Sequence, residues 1–175
     1  MAIVITVEDG SNVPGANSYQ SVAAVREYAE YRGVELDPDD EVVKAQIIVG
    51  MDYLEAKECE FQGWRTYEDQ ALSWPRTGVI LNCKAYPTDA IPSQLKGALA
   101  QLVMAQEAGI DIAPNTSADD FIVSAKVGPL SVQLADPSKV GSGDLSPTMT
   151  AVDKLLAPLF GTCEAKGFSL RSVRV

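Results

Sequence analysis

Side-chain chemistry needs nucleophiles, bases or metal ligands at workable spacing, and this chain offers few. It contains no histidine. That removes Ser-His-Asp and Cys-His catalysis in their usual forms, together with the commonest metal ligand. The three cysteines, Cys59, Cys83 and Cys163, fit no zinc spacing. Scattered and odd in number, they point to reduced thiols in a cytoplasm, behaving as small buried hydrophobes. The carboxylate pairs Asp39/Asp40 and Asp119/Asp120 stand near helix or strand starts, where capping and solvation explain them better than acid–base catalysis does. The run Asp37-Pro38-Asp39-Asp40-Glu41 invites a calcium reading, but an EF-hand loop needs glycine at its sixth position, which here is Val42. No GK[ST] phosphate loop is present, and no strand leads into Gly141-Ser142-Gly143, so that stretch is not a dinucleotide fingerprint. The expectation is a protein that is not an enzyme and holds no cofactor or metal.

The most informative local sequence is Phe61-Gln62-Gly63-Trp64-Arg65 with Gln70-Ala71-Leu72-Ser73-Trp74-Pro75-Arg76-Thr77-Gly78. Pro75 fixes its own φ and pushes Trp74 towards an extended backbone. Arg65 or Arg76 stacked on an indole would contribute about 0.5–1 kcal/mol if exposed. Two compatible roles follow for Trp64, Arg65, Trp74 and Arg76. They pin a long loop to the core, or they form an inter-subunit hot spot, where Trp and Arg dominate.

The elements that must position this loop are mostly helical. Residues 2 to 8 alternate and are β-branched (Ile3, Val4, Ile5, Val7), which predicts a strand ending in a turn at Glu8-Asp9-Gly10 rather than a signal peptide. Ser21 caps a helix over about 22–32, stopped by Gly33, with Val25, Tyr28, Ala29 and Arg32 on one side. A second helix opens at Asp37–Glu41, where acids suit the helix dipole. Its stripe is Val43, Ile47, Met51 and Leu54, widened by Val42, Ile48, Val49 and Ala56. So apolar a helix is buried on two sides or faces another subunit. Gly50 in its middle marks a close helix crossing. A third helix runs from Pro92 to near Gly109, with Leu95, Ala98, Leu99, Leu102, Val103 and Gln106 on its buried side. The long loop between them, about 58–90, suggests function or partner contact. Phe121 to Val127 and Leu130 to Leu134 alternate around Gly128-Pro129 and read as a β-hairpin. A last helix covers about 147–160, with Val152, Leu155, Leu156 and Leu159 on one side and Pro158 ending or kinking it.

The predicted fold is mainly α (α+β): a four-helix core with a β-hairpin, an N-terminal strand and an extended C-terminal tail. It forms a single domain over 1–175, with the helical core at about 18–110 and 147–160, the hairpin at about 121–135 and the tail at about 166–175. Hydrophobic residues make up 46% of the 175 and charged residues 22%, enough for a real core and too few charges for a disordered chain. No apolar run reaches the roughly 20 residues a membrane helix needs.

The formal net charge is −10, which argues against a surface that wraps nucleic acid. It is unevenly spread. The first 165 residues hold 11 basic and 24 acidic residues, net −13, while the last ten hold Lys166, Arg171 and Arg174 and no acid, net +3. That asymmetry suggests a tail that docks on an acidic surface.

Several segments, in order, resemble one phage family. They are Val7-Glu8-Asp9-Gly10, Gly15-Ala16-Asn17-Ser18-Tyr19, Gly63-x-Arg65, Leu72-Ser73-Trp74-Pro75-Arg76, Ile91-Pro92, Lys126-Val127-Gly128-Pro129-Leu130-Ser131-Val132 and Leu155-Leu156-Ala157-Pro158-Leu159. The family is catalogued as a DnaT-like single-stranded-DNA-binding domain, and its members look like the head–tail connector, or adaptor, proteins of tailed phages. The resemblance implies a virion protein of the neck, assembled in the host cytoplasm. It would form a ring of about twelve copies between the portal and a stopper, tail terminator or tail-tube protein. Double-stranded DNA would pass through without specific binding, and no membrane is involved. In similar adaptors the C-terminal segment enters the portal; the matching residues here are Lys166, Phe168, Leu170, Arg171, Val173, Arg174 and Val175. The polar insert 137–146 is longer than the family pattern. The alternative that the family label carries is a single-stranded-DNA binder. That would need stacking aromatics along a basic groove, whereas Glu58, Glu60, Glu68 and Asp69 surround Trp64, Tyr67 and Trp74.

Overall fold

The structure, a computed structural model, describes residues 2–112 and 149–161 and the backbone of two strands within 124–133. The predicted tail 166–175, the insert 137–146 and Cys163 lie outside the described residues.

Four helices form the framework: α1 (Val22–Glu30), α2 (Asp40–Glu55), α3 (Ser93–Glu107) and α4 (Thr150–Leu156). Helix α3 packs against each of the other three. That central position explains why Leu95, Ala98, Leu99, Leu102 and Val103 are all fully buried. Ser21 caps α1, its hydroxyl accepting from Ala24 N, and Asp39 caps α2 by accepting from Glu41 N. Each cap satisfies an N–H that the first helical turn leaves without a partner. The predicted stripe of α2 is buried at all four positions, Val43, Ile47, Met51 and Leu54. Gly50 sits where α2 crosses α3: a Cβ there would stand 3.0 Å from Leu99 Cδ1.

Helix α4 is shorter than predicted. It ends at Leu156 and continues as a 3-10 turn over Ala157–Leu159, because Pro158 lacks the N–H that another α turn requires. Val152, Leu156 and Leu159 are buried.

Strands are short. β1 (Trp64–Arg65) pairs with β2 (Arg76–Thr77), β3 (Ile80–Leu81) with β4 (Lys84–Ala85), and β5 (Ser124–Val127) with β6 (Leu130–Gln133), all antiparallel. The β5–β6 register sets Val127 opposite Leu130 and Ala125 opposite Val132. The predicted N-terminal strand is realised as an extended segment with a single parallel bridge, Val7 to Ser18. Its backbone bonds to the facing loop are those of Asn17 N and Ser18 N to Thr6 O and of Glu8 N to Ser18 O.

The cysteine expectation is overturned for the two described thiols: Cys59 and Cys83 are exposed. Cys59 lies in a 3-10 turn over Glu58–Glu60. Cys83 shares the tip of the β3–β4 hairpin with Asn82, both at positive φ (62° and 52°). That is the two-residue turn geometry that matches strand twist, and it holds the side chains off the core.

Candidate functional site

The 58–90 loop is ordered by burying its own polar groups. Trp74 is fully buried and meets Phe61 edge-on at 5.8 Å and Tyr86 at 6.4 Å between ring centroids. Phe61 in turn contacts Phe160 at 5.6 Å. Gln62 N donates to Leu159 O at 2.9 Å and Gly161 N to Glu60 O at 2.7 Å, so the loop is sewn to the end of α4.

Around Trp74 lies a closed polar network. Tyr19 donates its hydroxyl to Glu55 Oε1 at 2.5 Å and contacts Ser73 Oγ at 3.1 Å. Trp74 N donates to the Tyr19 oxygen at 3.2 Å, and Ser73 N donates to Glu55 Oε2 at 2.7 Å. Burial pushes the Glu55 carboxyl above its ordinary range, and burial with the Glu55 charge pushes Tyr19 well above 10.0. Ser, Tyr and Glu in hydrogen-bond contact form a constellation that chemistry could use. However, Tyr19 and Ser73 are 1% and 0% exposed, so no substrate reaches them, and the network's work is to lock Ser73-Trp74 against α2.

The arginines serve the same lock. Arg76, 6% exposed, donates to Gln62 O at 2.7 Å, Gly63 O at 2.9 Å and Ser73 O at 3.2 Å. Burial lowers its pKa, with Glu58 at 3.8 Å acting the other way. Arg65 forks onto Glu58 (2.6 and 2.8 Å) and reaches Gln70 O at 3.0 Å. Its hydrogen bonds hold Glu58 below the ordinary carboxylate range. Neither guanidinium lies on an indole; Arg76 sits 6.0 Å from the Phe61 ring. The carbonyls and Glu58 offer a charged fork stronger bonds than an aromatic face does.

Of the four predicted loop residues, the structure brings Arg65, Trp74 and Arg76 together and sends Trp64 outward. Trp64 is 65% exposed, with its ring over Gly78; Ile80 (59%) and Tyr67 are also exposed. Sequence reasoning missed three members of the site. Glu8 is buried and accepts from Gly10 N, Asn12 N and Val13 N at 2.8–3.0 Å, folding the first loop around one carboxylate. Tyr19, known only as part of a family-like segment, and Glu55 likewise had no predicted role, because a pairing across more than 30 residues leaves no local pattern. Gly10 and Gly63 carried a usable signal. Both are at positive φ, and a Cβ would fall 1.9 Å from Asp89 O and 2.0 Å from Thr77 O respectively.

Basic side chains form no groove among the described residues. Arg26 pairs with Asp40 and Lys44 with Glu41 at 2.8 and 2.7 Å. Arg32 lies 3.4 Å over the Tyr28 ring and Lys57 5.0 Å over Tyr53. Lys84, Lys96 and Lys154 stand on three different elements, β4, α3 and α4. No described helix is long and apolar enough to cross a membrane.

A family model described as "Putative DnaT-like ssDNA binding protein" matches residues 1–175. No curated protein matches the chain, and no solved structure does.

Proposed function

The chain belongs to the DnaT-like single-stranded-DNA-binding protein family, and we propose that it is a structural member: a ring-forming adaptor that joins a phage portal to the tail or stopper and leaves a channel for DNA. One observation carries this reading. Three of the loop residues that would make a strand-binding groove are consumed internally, with Trp74 and Arg76 buried and Arg65 clamped to Glu58, on a chain of net charge −10. A protein that stacks bases needs those groups outward beside phosphate-binding cations. An acidic ring, by contrast, repels DNA and lets it slide. The ordered motifs of the adaptor resemblance support the same reading, as does the cationic decapeptide at the C-terminus. Trp64 and Ile80 supply exposed apolar area for a neighbouring subunit. The protein is non-catalytic, and its partners are its own copies, the portal and the tail component below.

Strand binding is the second reading. The family description favours it, and exposed Trp64 and Tyr67 are its available stacking surfaces. One experiment separates the two. Portal is mixed with the full chain and with a chain truncated after Ala165, and the same proteins are titrated against a fluorescent oligothymidine at low salt. The adaptor reading expects portal complexes that disappear on truncation, and no saturable DNA binding. Saturable binding with a steep salt slope, together with portal indifference, overturns it in favour of strand binding.

A further inference from the structure

Residues 2–8 run extended, so alternate peptide groups point to opposite sides. The even-numbered side is paired. Val4 O accepts from Asn17 Nδ2 at 2.8 Å, and Thr6 N donates to Asn17 Oδ1 at 2.8 Å. Thr6 O accepts from Asn17 N and Ser18 N, and Glu8 N donates to Ser18 O. The odd-numbered side is open. Ile3 N reaches Glu41 Oε2 at 2.9 Å; beyond it, the N–H and C=O groups of Ile5 and Val7 find no partner among the described residues. Beside this segment lies a groove of about 600 Å³, lined by Ile3, Ile5, Val22, Ala23, Arg26 and Lys44.

Natural sheet edges are blunted by charges, prolines or bulges that discourage pairing. The run Ile3-Val4-Ile5-Thr6-Val7 has none of these and is built from residues that favour strands. An unpaired edge without such protection is made to be paired.

The same chain carries the complementary piece. β5 and β6, four residues each, pair with one another and with no other strand among the described residues. A lone two-stranded hairpin is marginal in water and becomes stable on gaining a third strand. Its charge also fits. Between Asp120 and Asp136 there is one cation, Lys126, and no acid, so this part of an acidic chain approaches another copy without repulsion.

We propose that the N-terminal edge of one copy receives the β5–β6 hairpin of a second copy, completing a three-stranded sheet across the subunit boundary by strand addition. The inference rests on the ring reading above and deepens it by naming the contact. Edge and hairpin are different surfaces, so the contact is heterologous and repeats head to tail until a ring closes.

The test uses two variants and the amide exchange of the unmodified chain. Ile5→Pro deletes an N–H that makes no bond among the described residues. A second variant replaces 124–133 by a Gly-Ser linker. At about 0.5 M salt, where repulsion between like-charged copies is screened, wild type should assemble in light scattering and each variant should stay a monomer. Mixing the two variants should give dimers and nothing larger, because only one intact contact can form. In the wild type, exchange at residues 3–7 should slow at least about tenfold on assembly. Rings that form equally well from either variant overturn the strand pairing and leave the adaptor reading standing. Slow exchange at residues 3–7 already in the monomer means the chain's own hairpin occupies the edge, and also overturns it. A wild type that remains monomeric in salt and with portal overturns the ring reading itself.

Discussion

Replacing Arg76 by methionine tests whether the loop is locked from inside. Methionine keeps much of the aliphatic volume and removes three donors. The carbonyls of Gln62, Gly63 and Ser73 lose their partners at 2.7, 2.9 and 3.2 Å in a site where Arg76 is 6% exposed. Hydrogen bonds to a charged group contribute about 1.5–3 kcal/mol each, and they are not additive. Removing a desolvated cation returns part of this, since burial already disfavours the charge. Three such bonds lost, less that return, place Arg76→Met at a cost of about 3–5 kcal/mol. That is about a fifth or more of the roughly 5–15 kcal/mol typical of a folded domain. With a urea m-value of about 2 kcal/mol/M, the unfolding midpoint should drop by about 1.5–2.5 M at unchanged m. Arg76→Lys keeps the charge without the planar fork and should lie between the two. A midpoint within about 0.25 M of wild type would refute the internal lock, and if portal binding were lost at the same time, Arg76 would be a surface contact.

Four further outcomes follow from the same geometry. Glu55→Gln leaves one acceptor oxygen where the carboxylate uses two, towards Ser73 N and the Tyr19 hydroxyl, and should destabilise by about 1–3 kcal/mol in urea melts at neutral pH. Burial raises the folded pKa of Glu55 above 4.5, so wild type loses stability as pH rises from 4.5 through that folded value; the gap to Glu55→Gln should therefore narrow with rising pH across that window, and a widening gap contradicts the network. Trp74→Ala should cost about 3–5 kcal/mol, whereas exposed Trp64→Ala should change stability by at most about 0.5 kcal/mol and weaken self-association in light scattering. Gly50→Val places branched carbon against Leu99, 3.0 Å from the new Cβ, and should cost about 1–3 kcal/mol by overpacking, read in thermal melts.

Helices were legible because their signals are local. The stripe of α2, the caps Ser21 and Asp39, and the tight crossing at Gly50 could each be read within a few residues. The loop was legible only in composition. Two tryptophans and two arginines look alike in sequence, yet Trp74 is buried and Trp64 is 65% exposed. What separates them is long-range pairing: Tyr19 and Glu55 close over Ser73-Trp74, and Gly63 O turns towards Arg76. The β3–β4 hairpin escaped because its turn is Asn82-Cys83 where Asn-Gly would announce one. The exposed thiols of Cys59 and Cys83 follow from tight turns that composition does not encode. The N-terminal alternation marked an extended segment correctly but could not say that the neighbouring loop pairs with only one of its edges.

The most direct test is the copy number of this chain in purified phage particles, measured by quantitative mass spectrometry against the portal. An adaptor ring requires the protein in every particle at about the copy number of the portal ring. Its absence from particles, with the protein recovered instead on single-stranded DNA in infected cells, contradicts the account.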